Sequence, residues 1–440
     1  MPFQRRAVWS TALLVLAAAS PLAAARAQAP ELCVATGGDG AACLSGGAWR
    51  TYKQADKGTL GSNHVAKIAA CGEQTIFAHG SGVSALDSKG WSQHPRWGSA
   101  SAESIVCAGD TLWVAHFKGV SRFQGGAWTT INPDQLASGA SINDLIKSVS
   151  IAPDGAVWVA TGRSVARFAK GEWTRFQQGE GFEKAVFFER LAVGPDGKVW
   201  VAGSSGLWLR DGEKWTAVEQ RLGTVRAMVV DKAGRVFVGT HADGIHVYAA
   251  GAWTRHTRDK GLPSNRINAL AADGHGRVWA ATSYGLAVLD GDKWTVYRMD
   301  NATLPANALV DLAVFRGGPA ALPKTEPTAP GSIIGRVAGA ESKPVAKAKV
   351  ELCVEALFAG ISRVQTTPCT GQPFARSQTT DADGRFAFED VPAGKYILAI
   401  ETEPGKWGLL TSGFVGASQM IPVAAGKRTD LQTLNLRAKP

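Results

Sequence analysis

Ile267-Asn-Ala-Leu-Ala-Ala-Asp273-Gly-His-Gly-Arg-Val278-Trp279-Ala-Ala-Thr282-Ser-Tyr284-Gly-Leu-Ala-Val-Leu-Asp290-Gly-Asp-Lys-Trp294-Thr-Val-Tyr-Arg298 is the stretch that decides the fold. It divides into four short β-rich runs. Ile267 to Asp273 reads as strand a, and Gly-His-Gly turns the chain. Val278 to Thr282 is strand b, with a tight Ser283-Tyr284 loop after it. Gly285 to Asp290 is strand c, and Gly-Asp-Lys leads into strand d at Trp294. Short runs bounded by Gly and Asp are strand and turn signals. Four such strands in one unit of about 41 residues make a propeller blade.

The unit repeats along the chain. Trp49, Trp91, Trp128, Trp173, Trp215, Trp253 and Trp294 all open a strand d. Strand b carries Phe77, Trp113, Trp158, Trp200, Phe237 and Trp279. An aromatic at a fixed strand position fills the wedge between neighbouring sheets, so these rings read as core. The ends of the array are out of phase. Leu32-Cys-Val-Ala-Thr aligns with strand b, Ala42-Cys-Leu-Ser with strand c and Trp49-Arg-Thr-Tyr with strand d, and no strand a precedes them. Leu309-Val-Asp-Leu-Ala-Val is a strand a with no blade after it. Pairing these ends closes a seven-bladed ring with a shared blade and no open edge. The fold class expected is therefore all-β, a seven-bladed β-propeller followed by a C-terminal β-sandwich.

The remaining organisation follows from composition. Residues 1–27 read as a signal peptide, with Arg5 and Arg6, an apolar run from Ala7 to Ala19, and Ala25-Arg26-Ala27 as cleavage site. The propeller is assigned to 28–316 and a Pro-rich linker, extended and semi-rigid, to 317–331. Residues 332–440 alternate as a small sandwich does, for instance in Arg385-Phe-Ala-Phe. The chain after Ala27 carries 44 basic and 37 acidic residues, a net +7 without a dense basic run, which argues against nucleic acid. No later stretch is apolar and long enough to span a bilayer. These features place the product in the periplasm or outside the cell. Six cysteines in an exported chain suggest disulfides. Strand position pairs Cys33 with Cys43 and Cys71 with Cys107, leaving Cys353 with Cys369.

Gly261-Leu-Pro-Ser-Asn265-Arg-Ile-Asn-Ala-Leu-Ala-Ala-Asp273-Gly-His-Gly276-Arg-Val-Trp279-Ala-Ala-Thr282 resembles the two-component regulator propeller repeat of bacterial ligand-binding sensor domains. The resemblance covers roughly 32–317 and implies a propeller that binds a ligand. Gly335-Arg-Val, Lys343-Pro-Val-Ala-Lys-Ala-Lys-Val-Glu-Leu and Thr380-Asp-Ala-Asp-Gly384-Arg-Phe-Ala-Phe resemble the carboxypeptidase regulatory-like (transthyretin-like) domain. That family implies a non-catalytic accessory, spacer or binding module.

Chemistry is sparse. The Asp-Gly pairs at 154, 196 and 383 read as hairpin turns, and Asp381-Ala-Asp383-Gly384 lacks the ligands of an EF-hand. The ligand face of a propeller carries the b–c and d–a loops. His79, His116, His241 and Tyr284 fall on b–c loops. Asn63, His64, Asn143, Lys147, Arg226, Asn265, Arg266, Asn268 and Asn307 fall on d–a loops or strand a starts. The histidines come from separate blades and read as solvated loop residues rather than as a metal site. Lys67, Glu103, Ser148, Arg190 and Asp311 share an inner position and suggest a charged tunnel, where Arg190 and Arg226 could meet an anionic group. His79, His116, Arg190, Arg226, His241, Arg266, Asn268 and Tyr284 are thus the candidate ligand-binding residues. No catalytic residue, cofactor or metal is assigned. A binding propeller with an envelope protein, glycan or peptide as partner is the expectation. The other open reading is a lyase or glycan-processing enzyme using a rim His as base.

Overall fold

The computed structural model describes residues 29–54, 59–98, 101–131, 145–177, 182, 187–218, 221–354, 367–410 and 419–436. The signal peptide assignment and Asn143 lie outside them. Among the described residues the chain is all-β apart from short 3-10 turns. The N-terminal part is a β-propeller of four-stranded antiparallel sheets, seven of which are described. Their inner strands, the strands a, are Val65–Cys71, Ala102–Ala108, Ile146–Ile151, Phe188–Val193, Val225–Val230, Ile267–Ala272 and Leu309–Val314. We number the sheets first to seventh by these strands. Each inner strand packs beside the next, and Leu309–Val314 returns to pack beside Val65–Cys71.

The seventh sheet joins the two ends of the array. Leu309–Val314 pairs antiparallel with Leu32–Thr36, which pairs with Ala41–Ser45 and then Ala48–Tyr52. The second strand of every sheet is buried on both faces, because neighbouring sheets cover it. The Phe77, Trp113, Trp158, Trp200, Phe237 and Trp279 rings there are at most 6% exposed. Rings also meet between sheets, as Trp113 with Phe168 at 5.6 Å and Trp200 with Tyr248 at 5.8 Å. Each such pair contributes about 1 kcal/mol beyond the area it buries.

All three expected disulfides form: Cys33–Cys43, Cys71–Cys107 and Cys353–Cys369. The second ties the first inner strand to the next. Other junctions are tied by side chains. Asp311 Oδ2 accepts from the Ile68 N–H at 2.8 Å, Leu191 N–H donates to Ser148 Oγ at 3.2 Å, and Glu189 Oε2 accepts from Val225 N–H at 2.6 Å. Asn268 Nδ2 donates to the Leu309 carbonyl at 2.7 Å. The Asp-Gly pairs at 154 and 196 are a–b turns, where the Asp carboxylate accepts from the main chain two residues on.

Residues 331–436 add two further sheets. Gly331–Ala338 pairs antiparallel with Arg385–Val391 and parallel with Arg428–Asn435. Lys349–Cys353 lies between Ala375–Thr379 and Gly394–Glu403, which also pairs with Lys406–Leu409 and Ile421–Val423. Ile333, Val337 and Phe386 from one sheet share a core with Val350, Leu352 and Leu398 from the other.

The segment between the two parts is held against the propeller. Asp273 and Arg277 form a buried ion pair at 2.7 Å, and Trp279 Nε1 donates to the same carboxylate at 2.9 Å. Arg277 also donates to the Pro319 carbonyl. Tyr297 Oη donates to the Pro323 carbonyl at 3.1 Å, and Thr328 N–H donates to the Asp300 carbonyl at 2.7 Å. Asp273 lies in an a–b turn, whereas Asp300 precedes a strand a. The segment therefore climbs the propeller from its a–b side to its b–c side. These contacts fix the course of the segment along the propeller.

Candidate functional site

The inner strands surround a central cavity of about 280 Å³. Its chemistry depends on a backbone irregularity that recurs in every sheet. In the first six sheets the pairing of the inner strand slips after its first residue, as between Val65 and Lys67, Ala102 and Ser104, or Phe188 and Arg190. The seventh sheet slips at the matching place, between Leu309 and Asp311 against Thr36 and Ala35. A β-bulge sets two residues opposite one and re-aims side chains. Here Glu103-Ser104 and Arg226-Ala227 each supply two adjacent residues to the cavity wall. The polar ring is consequently drawn from two successive positions rather than one. Glu103 belongs to the first position, and Lys67, Ser148, Arg190 and Asp311 to the second. Glu189 and Ser104 were missed for this reason. The signal for them is a pair of polar residues opening strand a, as in Glu103-Ser104, Lys147-Ser148 and Glu189-Arg190.

The ring is electrostatically uneven. Lys67 Nζ lies 3.6 Å from Asp311 Oδ1. Burial pushes the Asp311 carboxyl up against the pull of Lys67, and burial likewise raises Glu189. Arg190 is half-buried and held below its ordinary value by burial, with Glu103 the strongest of the charges that support its cationic form. Its Nε donates to the Arg226 carbonyl at 2.6 Å and its Nη1 to the Glu189 carbonyl at 2.6 Å. These bonds reach main-chain oxygens, so the guanidinium keeps its full charge without a paired carboxylate among the described residues. Deeper in the cavity the wall turns apolar, with Val106, Val193, Met228, Val230, Leu270 and Leu312.

The rim histidines depart from the expectation. His79 and His116 are 4% and 2% exposed, not solvated. Each ends a strand b, which is covered on both faces. His116 Nδ1 accepts from the Lys118 N–H at 3.2 Å, which makes Nε2 the protonated nitrogen that donates to Ser121 Oγ at 2.8 Å. Burial, then Lys118, lowers its pKa to about 4. His79 has a similar arrangement. Its Nε2 meets Ser84 Oγ at 2.7 Å and its Nδ1 meets Ser81 Oγ at 2.9 Å, and burial lowers it too. His241 remains exposed. Arg266 is half-buried, its N–H donating to Ser264 Oγ at 3.0 Å. Asn268 bridges to the seventh inner strand as described above. Asn63, Asn265 and Asn307 perform one structural task, since each carboxamide oxygen accepts a main-chain N–H just after a strand d.

Tyr284 is 4% exposed because the C-terminal part covers it. Its hydroxyl shares a hydrogen bond with Tyr396, whose own proton goes to the Pro392 carbonyl at 2.6 Å. Burial raises the pKa of both phenols. Arg298 lies over the Tyr284 ring at 5.2 Å. Gly285 adopts φ +128 after it, where a side chain would meet the Tyr297 carbonyl at 2.8 Å. Lys395 forms an ion pair with Asp39, and Arg258 Nη1 donates to the Gly371 carbonyl at 3.0 Å. Asp39, Arg258 and Tyr284 all sit on b–c or d–a loops. The C-terminal part therefore rests on the sixth and seventh sheets, on the face where the sequence places ligand binding. That contact was missed because it joins residues more than a hundred positions apart.

The Two component regulator propeller family model matches residues 261–284, one repeat of the array. No curated protein matches the chain. Among solved structures, virginiamycin B lyase from Staphylococcus aureus is 11% identical, covers 60% of this chain and 94% of its own, and has a TM-score of 0.48. PorZ, a bacterial surface component of the type-IX secretion system of Porphyromonas gingivalis, is 16% identical over 84% of this chain and 62% of its own, with a TM-score of 0.46. The extracellular domain of BT4673 from B. thetaiotaomicron is 14% identical over 84% of this chain and 54% of its own, with a TM-score of 0.44. At these values the fold assignment rests on the sheet pairing itself.

Proposed function

We propose that this chain is an exported, non-catalytic binding protein, a seven-bladed β-propeller that takes a ligand or a protein partner at the b–c mouth of its central cavity. The C-terminal part, residues 332–440, acts as an accessory β-sandwich of the carboxypeptidase regulatory-like kind. It narrows the open face by resting on the sixth and seventh sheets. The observation that carries the reading is the charged ring at the mouth, above all the half-buried Arg190 guanidinium, whose hydrogen bonds go to main-chain carbonyls. Fixed charges with apolar surface beneath them are a recognition surface, with orientation set by the few polar groups. The buried His79 and His116, each engaged at both nitrogens, support binding rather than base catalysis. Three disulfides support an oxidising compartment, periplasmic or secreted. Similarity to the two-component regulator propeller model agrees with a sensor-like role.

The test is a thermal-shift panel on the purified chain lacking residues 1–27, against envelope glycans, peptides and metal ions. A selective ligand raises the melting temperature by native-state binding. A ligand recovered chemically changed would overturn the non-catalytic reading.

A further inference from the structure

Resting on that reading of the cavity, we infer that its ligand is a small zwitterion with an apolar tail, of the α-amino-acid class or the end of a peptide. Two opposite charges in the wall leave a place for it. Arg190 on the fourth inner strand spends its Nε and Nη1 on main-chain carbonyls. Its charge is intact, it lines the cavity, and its Nη2 makes no hydrogen bond among the described residues. Glu103 on the second inner strand is half-buried in the same wall and has no hydrogen bond or ion pair among the described residues. The two sense each other electrostatically without forming an ion pair. A buried charge is costly unless a partner satisfies it. A carboxylate on Arg190 and an ammonium on Glu103 would satisfy both with one molecule, through charge-assisted bonds.

The rest of the cavity selects for size and tail. Its volume of about 280 Å³ falls just below the ~300–1,000 Å³ of drug-sized pockets. It has room for on the order of nine water-sized groups, which suits one aliphatic amino acid better than a glycan. Below the ring lie Val106, Met228, Leu270 and Leu312, so a side chain entering behind its charged head meets apolar wall. The other carboxylate lining the cavity, Asp311, is engaged with Lys67 and Ile68, and the neighbouring Glu189 with Val225. Glu103 is thus the acid available to an ammonium group.

Calorimetric titration of the chain lacking residues 1–27 tests this with four probes: L-leucine, L-phenylalanine, isocaproate and isoamylamine. Isocaproate lacks the ammonium and isoamylamine lacks the carboxylate. At least one amino acid should bind, and each half-ligand should bind about tenfold to a hundredfold more weakly than leucine, the cost of one charged hydrogen bond. Glu103→Gln should reduce leucine affinity by the same factor and leave isocaproate unchanged. Arg190→Lys should weaken isocaproate and spare isoamylamine. Equal binding of leucine and isocaproate, or Glu103→Gln binding leucine as the parent does, overturns the assignment. Failure of all four probes also overturns it. If another compound from the panel still stabilises the protein, the binding reading survives and only the zwitterion falls.

Discussion

Acidification should destabilise this protein through His116, and the size of the effect can be worked from its surroundings. Its Nδ1 accepts from the Lys118 N–H, so protonating that nitrogen sets two donors against each other inside a buried pocket. Burial, then the Lys118 charge, lowers the folded-state pKa to about 4 from 6.5. Below pH 6.5 the unfolded chain binds a proton that the folded chain refuses. Stability from this group is thus complete above about 6.5 and is lost as pH falls toward 4. At ~1.4 kcal/mol per pH unit, the loss is about 2 kcal/mol by pH 5 and about 3 kcal/mol by pH 4. His79, also lowered by burial, acts in the same direction. Urea unfolding of the parent and of His116→Gln at pH 7.5, 6 and 5 measures the difference. Glutamine can keep a donor toward Ser121 without titrating, so the variant should lose about 2 kcal/mol less than the parent between pH 7.5 and 5. Parallel losses in the two proteins would exclude His116 as the acid-sensitive group, as would a His116 ring proton whose NMR shift titrates near 6.5.

Other outcomes follow from the packing. Arg277→Ala leaves Asp273 as an uncompensated buried charge and frees Pro319, so it should cost about 3–5 kcal/mol, read as a lower urea midpoint; a change below 1 kcal/mol would contradict the buried pair. Leu309→Ala, at a fully buried position of the closing strand, should cost about 2–5 kcal/mol by the same assay; parent-like unfolding would mean that this strand does not hold the ring together. Replacing Cys71 and Cys107 by Ser opens a loop with sequence separation 36 and should lower stability by about 4 kcal/mol in the chain-entropy view. Lys395→Ala with Tyr396→Phe should raise hydrogen exchange at Ser283–Gly285 while leaving Val278–Thr282 protected; unchanged exchange at the loop would show that the C-terminal part does not hold it.

Much of this architecture is written in local pattern. The Trp period and the out-of-phase ends specify the strand order, and strand position alone pairs Cys33 with Cys43 and Cys71 with Cys107. The candidate site was less legible, for three physical reasons. The β-bulge shifts the inward register by one residue, so aligning a single column merges Glu103 with Lys67 and Arg190 and hides Glu189. Loop and strand-end residues look alike in sequence. His79 and His116 close strands that neighbouring sheets cover on both faces, and that burial comes from packing rather than from their own segment. Tyr284 reads as an open rim residue because its cover, Tyr396, arrives from another part of the chain. Its Oη bond and the Asp39–Lys395 pair depend on the path of residues 317–331 along the propeller.

In the proposed function, ligand enters the b–c mouth of the cavity and leaves unchanged. Hydrogen exchange of the chain lacking residues 1–27, with and without a ligand that stabilises it, tests this most directly when the ligand is recovered and weighed afterwards. Added protection is expected at the strand a starts, 102–104, 146–148, 188–190 and 225–227, together with an unaltered ligand mass. Protection confined to 331–436, or a ligand recovered as product, would contradict it.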